Sequence, residues 1–451
     1  MKEKNSFSSK LGFILAASGS AVGLGNLWRF PYLAAKYGGG TFLLVYLILA
    51  VTFGFALLTT EIAIGRKTGR SALSAFGSLH NHCGFIGVLA SIVPIIIIPY
   101  YCVIGGWVVK YTITYLTGQG AAAVSDNYFS NFIAEPVQPI IWLTIFILAT
   151  MVVILLGVNK GIENISKILM PLLVVLSVII AFFVVTRKGA SAGLIYYFKP
   201  DPSKLTVNCF LAALGQLFYS MSLAMGIMIT YGSYLPKNDD IESGVRSIEV
   251  FDSAIALLAG LMIVPAVFVF SGGDQAALSK GPTLMFITLP KVFGGMRGGY
   301  IIGGIFFILV LFAALTSAIS LMETVVSIFT ERFHASRKKV TICVTIYTIL
   351  MALPSSLGFG VLDWLKIGGL GVLDFFDFIS NSVLMPIVAF LTCVFVGYIV
   401  KPKVVIDEVE NSTENFKSKK IYVILIKYFS PILILLILIS SILNTFGIIN
   451  L

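Results

Sequence analysis

The sequence predicts an all-α, polytopic membrane protein of about eleven transmembrane helices, built as inverted five-helix repeats with helices 1 and 6 broken. Three observations carry this. Of 451 residues, 58% are hydrophobic and only 12% charged, with apolar runs recurring along the chain. The runs are long and do not alternate, unlike the segments of an outer-membrane barrel. Two of them, the first and the sixth, place glycine and polar residues at their centres, where a simple anchor would carry Leu, Ile and Val.

Residues 1–10 are polar and basic and read as a cytoplasmic N-terminal segment. The first span follows at about 11–36. Its centre is Gly19-Ser20-Ala21-Val22-Gly23-Leu24-Gly25-Asn26-Leu27-Trp28-Arg29-Phe30-Pro31. Gly in place of Ala costs a helix about 1 kcal/mol. Backbone freed from a helix inside lipid needs other partners. The stretch therefore predicts mid-membrane carbonyl and N–H groups that bind something. Asn26 adds an oxygen, and Arg29 a charge that needs a partner or water. Gly19 and Gly23 also suit close helix packing, but that leaves Asn26 and Arg29 without a role. A nucleotide loop would need a preceding strand, which 11–17 does not supply. Lys2, Lys4 and Lys10 ahead of an apolar run resemble a signal peptide, yet the apolar pattern continues past Pro31.

Spans at 41–66, 88–116, 139–157 and 164–186 complete a first repeat over 11–186. Residues 118–138 and 187–204 read as connections. The second repeat, 206–397, holds spans at 206–236, 248–272, 299–332, 338–354 and 370–397. The sixth span is interrupted from Gly215-Gln216 through Ser220 and Ser222 to Gly226. A repeat of five spans inserts in opposite senses, so the two broken helices occupy matching places in inverted halves. That pattern points to a transport site near the bilayer midplane. A proline-bounded piece, 283–289, reads as a short re-entrant or surface helix. The cytoplasmic loop 398–420 is charged and is expected to need no fold of its own. Residues 421–451 add helix 11 and the C-terminus.

The net charge of +10 does not require nucleic acid as a partner. Arg66, Lys67, Arg70, Arg337, Lys338, Lys339, Lys401 and Lys403 fall in connections on the side of the N-terminus. The basic excess there predicts a cytoplasmic N-terminus in a cell inner membrane, with the lipid bilayer as the surrounding partner. The five cysteines show no CxxC spacing, so no disulfide framework is expected. His80, His82 and Cys83 lack a fourth metal ligand and read as a solvated loop. Glu61, Glu323 and Asp377 lie on different spans, and no nucleophile–base motif marks an enzyme. A channel would show a repeated filter or a ring of like charges.

The 19–31 stretch resembles the first-span signature of the neurotransmitter:sodium symporters, the family of the bacterial leucine transporter and the monoamine transporters. Gly38-Gly39-Gly40 and Glu61-Ile62-Ala63-Ile64-Gly65-Arg66 are similar to its second span. Tyr100-Tyr101 and Trp107 are similar to its third, 215–226 to its sixth, and Ala313-Ala314-Leu315-Thr316-Ser317 to its eighth. The resemblance runs over roughly 7–395, and eleven spans are similar to a bacterial amino-acid branch. It implies sodium-coupled import of an amino acid by alternating access. A proton- or exchange-coupled amino-acid carrier on the same fold is the alternative.

The resemblance also implies site residues. A first Na⁺ would meet the Ala21 carbonyl, Asn26, Ser220 and Asp252, where the family usually has Asn. A second would meet carbonyls of Gly19, Val22 and Ala313 and hydroxyls of Thr316 and Ser317. Back-bonding to the preceding turn is the competing reading of those two hydroxyls. The substrate carboxylate would sit at a half-helix start, against Leu24 and Gly25, and meet the Tyr101 hydroxyl. Ala21 would also border the substrate, whose ammonium would meet carbonyls exposed in span six around Tyr219, Ser220 and Ser222. Ile97, Ile104, Tyr219, Ser222, Met225, Ser317 and Leu321 would line the side-chain pocket. Met225 reshapes around rings, so a large hydrophobic or aromatic amino acid is expected. Arg29 and Asp377 would form an outer gate, with Asp374 as competitor, and Lys4 and Glu331 an inner one. Phe7 stands where the family usually has Trp. Gly161 and Pro171 match a Gly-x9-Pro pattern that lets span five unwind. Tyr46, Gln216, Ser220, Asp252 and Ala256 match the family's chloride positions. Ala256 lacks a hydroxyl and Asp252 brings its own charge, so no chloride requirement is expected. The competing reading leaves Asp252 solvated at the cytoplasmic surface.

Overall fold

The computed structural model describes residues 6–271, 282–413, 416–445 and 447–448. Among them, nine continuous helices are long and apolar enough to cross a membrane. A bent pair, Lys10–Ala21 and Gly25–Lys36, meets at 53° and forms span one. Val207–Ser220 and Ile227–Ser233, interrupted by 221–226, form span six, so the expected eleven are present. Spans two to five are Gly40–Thr68, Asn81–Leu116, Gln138–Leu155 and Val158–Val185. Spans seven to eleven are Ile241–Phe270, Gly299–Phe333, Arg337–Leu357, Val372–Ile399 and Lys419–Thr445. The end of the bundle where the chain enters span one is called proximal, and the opposite end distal.

Local chemistry sets the helix ends. The Ser9 hydroxyl accepts the Gly12 N–H at 3.1 Å and starts span one. Span two ends on Gly69 at φ 59°, a left-handed cap. Thr206 starts span six by accepting the Cys209 N–H at 3.2 Å. Spans two and six touch backbone to backbone, because a Cβ on Gly65 would lie 1.9 Å from the Ile229 carbonyl oxygen. The first half of span one packs on spans five, seven and eight, and span three lies along span eight. Ile168, Phe182, Leu350 and Ile432 point outward, as side chains facing lipid do.

Several expectations change. Span seven begins at Ile241 and not at 248, because its polar first turns are satisfied. Arg246 pairs with Glu249 at 3.0 Å, and Glu242 accepts the N–H groups of Lys417 and Ser418. The 398–420 loop does have a fold. Lys403–Glu410 is a helix that buries Val405, Ile406, Glu408 and Val409. Arg66, itself buried, reaches Glu408 Oε1 at 2.9 Å, and Lys237 reaches the same oxygen at 3.1 Å. This ties the proximal ends of spans two and six to the segment between spans ten and eleven. The connections also carry helices at Ala72–Leu79, Tyr128–Ala134 and Ala190–Phe198. The piece at 283–289 is helical as expected and continues to Gly294.

Several contacts tie the described proximal ends together. Phe7 is buried against Phe13, Tyr231 and Tyr234. Glu163 of span five accepts the Ser8 N–H at 2.7 Å and the Ser9 hydroxyl at 2.9 Å. Glu323 of span eight accepts from Tyr234 and from Arg337, each at 2.8 Å. At the distal end a cavity of about 660 Å³ descends to Arg29, Tyr100, Tyr219 and Asp377.

Candidate functional site

Both breaks meet at one buried cavity. Span one leaves the helix at Val22, whose ψ of 95° turns its carbonyl away from the axis. Span six unwinds with Ser222 at φ 52° and Ala224 at φ 60°, a region that L-residues rarely adopt. Two contacts hold this turn open. Glu61 Oε1 accepts the Ala224 N–H at 2.7 Å, and the Ser222 hydroxyl donates to the Ser20 carbonyl at 2.9 Å.

Most of the expected substrate residues line this cavity: Ala21, Leu24, Gly25, Ile97, Tyr101, Tyr219, Ser220, Ser222, Met225, Ser317 and Leu321. Ile104 does not; it lines the distal cavity, one helical turn beyond Tyr101 and two beyond Ile97. The Tyr101 hydroxyl is buried without a hydrogen-bond partner, facing the start of the second half-helix. Gly25 is required there, since a Cβ would lie 2.7 Å from the Tyr219 ring. Leu24, Tyr101, Tyr219 and Asn381 line both cavities and form the wall between them.

Asp252 is fully buried, which rules out the reading that it is solvated at the surface. Asn26 Nδ2 donates to its Oδ1 at 2.8 Å. The Tyr46 hydroxyl donates to Oδ2 at 2.9 Å, and the Ser220 hydroxyl to Oδ2 at 2.8 Å. Gln216 Nε2 donates to the Gly25 carbonyl at 3.1 Å, while its Oε1 is buried without a partner. Spans one, two, six and seven thus converge on one carboxylate. Ala256, one turn on, is buried and carries no polar atom. The donor set is of hard oxygens, which suits a small cation.

The other expected ion residues also gather. Ser317 Oγ donates across to the carbonyls of Ser20 at 3.2 Å and Gly19 at 3.4 Å. Gly19 packs on Thr316, where an added Cβ would lie 3.1 Å from the Thr316 Cβ. Thr316 Oγ1 itself back-bonds to the carbonyls of Phe312 and Ala313, both at 3.1 Å. Val22 is buried at the end of the same half-helix.

The gates differ from expectation. No direct ion pair joins Arg29 and Asp377. The Arg29 guanidinium lies 5.3 Å from the centre of the Tyr219 ring. Asp377 instead accepts from Asn381 at 2.6 Å, and both charged residues line the distal cavity. Lys4 lies outside the described residues. Glu331 accepts the Ser71 N–H at 2.6 Å and has Arg70 at 3.8 Å.

Sequence reasoning placed the stretch holding Ser20 and Gly23 at the site without assigning either a contact, and missed Ser320, Ile227 and Asn381 as cavity residues. Ser320 sits three residues beyond Ser317, on the same helix face, and that spacing was the available signal. Asn381 had none, since Asp377 on the preceding turn drew the reading instead.

Comparison with known proteins matches this geometry. Residues 4–138 and 128–448 match the sodium:neurotransmitter symporter family. An uncharacterized sodium-dependent transporter of Bacillus subtilis, YhdH, is 35% identical over 91% of this chain and 92% of its own. An uncharacterized sodium-dependent transporter of Haemophilus influenzae is 31% identical over 98% of both chains. The crystal structure of MhsT in complex with L-phenylalanine is 39% identical, with a TM-score of 0.87 over 97% of this chain and 99% of that one. With matches that run nearly end to end and two broken spans around one cavity, this chain belongs to the sodium:neurotransmitter symporter family, as a multi-pass, sodium-dependent transporter and not an enzyme.

Proposed function

We propose that the protein imports a large hydrophobic or aromatic L-amino acid together with Na⁺ by alternating access. The observation that carries this is the unpartnered, buried Tyr101 hydroxyl facing the half-helix start at Leu24 and Gly25. A carboxylate placed there gains a donor and the positive end of a helix dipole. Apolar Ile97, Met225 and Leu321 supply the opposite wall. MhsT, similar over its whole length, is seen with L-phenylalanine, an amino acid of this class.

Two Na⁺ ions fit the oxygens described. The first sits among the Ala21 carbonyl, Asn26, Ser220 and Asp252. The second sits among Gly19, Val22, Ala313, Thr316 and Ser317, once Thr316 turns its hydroxyl from its own helix. Asp252 supplies the negative charge that a chloride would otherwise bring, so transport needs no Cl⁻. The N-terminus and the proximal end are cytoplasmic, in the cell inner membrane. The distal cavity and the tied proximal ends support the outward-facing form. Segments 11–186 and 206–397 act as the inverted repeats whose relative movement exposes the site to each side. Arg29 and Asp377 pair when the outside closes, and Glu331 holds the inside with the N-terminal segment.

The test is uptake into proteoliposomes of each of the twenty amino acids, with a Na⁺ gradient, a proton gradient, or neither. Na⁺-driven accumulation of Phe, Tyr, Trp, Leu or Met ahead of Gly and Ala is expected. Uptake driven by protons alone would overturn the coupling, and preference for small or charged amino acids would overturn the substrate class.

A further inference from the structure

Resting on that reading of the cavity, the arrangement of its serines narrows what its substrate carries. Five serine hydroxyls line the cavity, from three different spans: Ser20, Ser220, Ser222, Ser317 and Ser320, and Ser220 gives its proton to Asp252 at 2.8 Å. A hydroxyl has one proton to give and two lone pairs to receive. Ser222 gives its proton to the Ser20 carbonyl at 2.9 Å. Ser320 gives its proton to the Ser317 carbonyl at 2.8 Å. Ser317 gives its proton to the Ser20 carbonyl at 3.2 Å, or to that of Gly19 at 3.4 Å. Ser20 lies 2.7 Å from the Ser320 oxygen and 3.3 Å from the Ser222 oxygen. With those protons so placed, Ser20 donates to Ser320 or to Ser222, and either way its proton stays within the cluster. Every serine proton then points into protein. Only lone pairs remain to face the cavity.

We propose that Ser20, Ser222 and Ser320 form an acceptor-only end to an otherwise apolar side-chain pocket, selecting amino acids whose bulky neutral side chain ends in an O–H or N–H donor. A phenol or an indole fits this description, and phenylalanine lacks the donor. Ile97, Met225, Ile227 and Leu321 suit the apolar body of such a side chain. No charged side chain lines the cavity, so a cationic donor would be buried without a counter-charge. Sequence reasoning placed Ser222 and Ser317 in the pocket beside the apolar wall but not Ser320, and had no ground to separate Tyr or Trp from Phe.

The experiment is competition against Na⁺-driven uptake by matched pairs that differ in the donor: Tyr against Phe, Trp against its naphthyl analogue, and Thr against Val. In the wild-type protein the donor-bearing bulky member should compete about tenfold better, the worth of one neutral hydrogen bond in a buried site. The ratio, and not uptake itself, is the readout, so loss of expression in a variant does not mimic the result. In Ser320→Ala the cluster loses one acceptor oxygen, and the Ser20 proton keeps the Ser222 oxygen at 3.3 Å as its acceptor. In Ser20→Ala with Ser320→Ala two of the acceptors are gone. The Tyr/Phe ratio should fall toward one in both. Equal competition by Tyr and Phe in the wild type, or a ratio that survives the double substitution, overturns the serine assignment while leaving amino-acid symport standing. No Na⁺-driven uptake of any amino acid removes both. A preference confined to Thr over Val would overturn the bulky-donor class.

Discussion

Asp252→Asn preserves the outline of the side chain and removes its charge. The Asn26 amide at 2.8 Å can still donate to the remaining oxygen. The hydroxyls of Tyr46 and Ser220, at 2.9 and 2.8 Å, rotate to accept from the new amide. The hydrogen bonds therefore survive in number, and the perturbation is mostly electrostatic. At about 5 Å and an effective dielectric near 20, a carboxylate attracts a monovalent cation by about 3 kcal/mol. That corresponds to roughly a hundredfold in Na⁺ affinity. The assay is the Na⁺ concentration dependence of uptake in proteoliposomes, with chloride or gluconate as the anion. The wild type should be indifferent to the anion, and the variant should need far more Na⁺. Adding Ala256→Ser to the variant places a hydroxyl one turn away and should make uptake respond to chloride. If the wild type stops in gluconate, or the variant keeps its Na⁺ dependence, Asp252 does not supply the charge and the cluster is structural.

Thr316→Ala with Ser317→Ala removes two oxygens at the junction of spans one and eight, and Na⁺-driven uptake should collapse while the protein still inserts; retained uptake would mean the second ion binds elsewhere. Tyr101→Phe should raise KM about 10- to 100-fold, the loss of one donor to a charged group, and an unchanged KM would show that the carboxylate lies elsewhere. Charge reversal at Arg29 should hold the distal cavity open to a cysteine reagent, and reversal of Asp377 in the same protein should restore closure; no rescue would remove that pairing. Glu408→Ala strips the buried Arg66 guanidinium of its counter-charge, a loss of about 3–5 kcal/mol for a buried pair. The melting temperature in detergent should drop, and an unchanged value would show that the helix Lys403–Glu410 contributes little.

The broken helices were legible because glycine and serine at mid-span contradict everything else a lipid-embedded helix asks for. Asp252 was only half legible. Glu242, Arg246 and Glu249 look like loop residues until Ser418 and Lys417 are seen to meet Glu242 and Arg246, and Arg246 to pair with Glu249; span seven then starts early enough to carry Asp252 inward. The helix at Lys403–Glu410 had an amphipathic pattern in Val405, Ile406 and Val409, but its partner Arg66 lies far away in sequence. Ser20 joins Ser320 only through the meeting of spans one and eight, which no local pattern shows. The position of Arg29 over the Tyr219 ring brings together spans one and six, which no local pattern in the sequence shows.

The left-handed turn at Ser222 and Ala224 has a consequence for when free energy is spent. Two L-residues held at φ 52° and 60° cost about 1–2 kcal/mol each. Glycine would relieve that cost at either position, yet a glycine at 222 would delete a hydroxyl and one at 224 would loosen the loop. The chain instead meets the expense once, during folding, using the Glu61 carboxylate and the Ser20 carbonyl as fasteners. A ligand arriving later finds the turn already shaped, so little of its affinity is consumed in ordering backbone. On the proposed mechanism, movement then falls to whole helices around the site and not to its recognition surface.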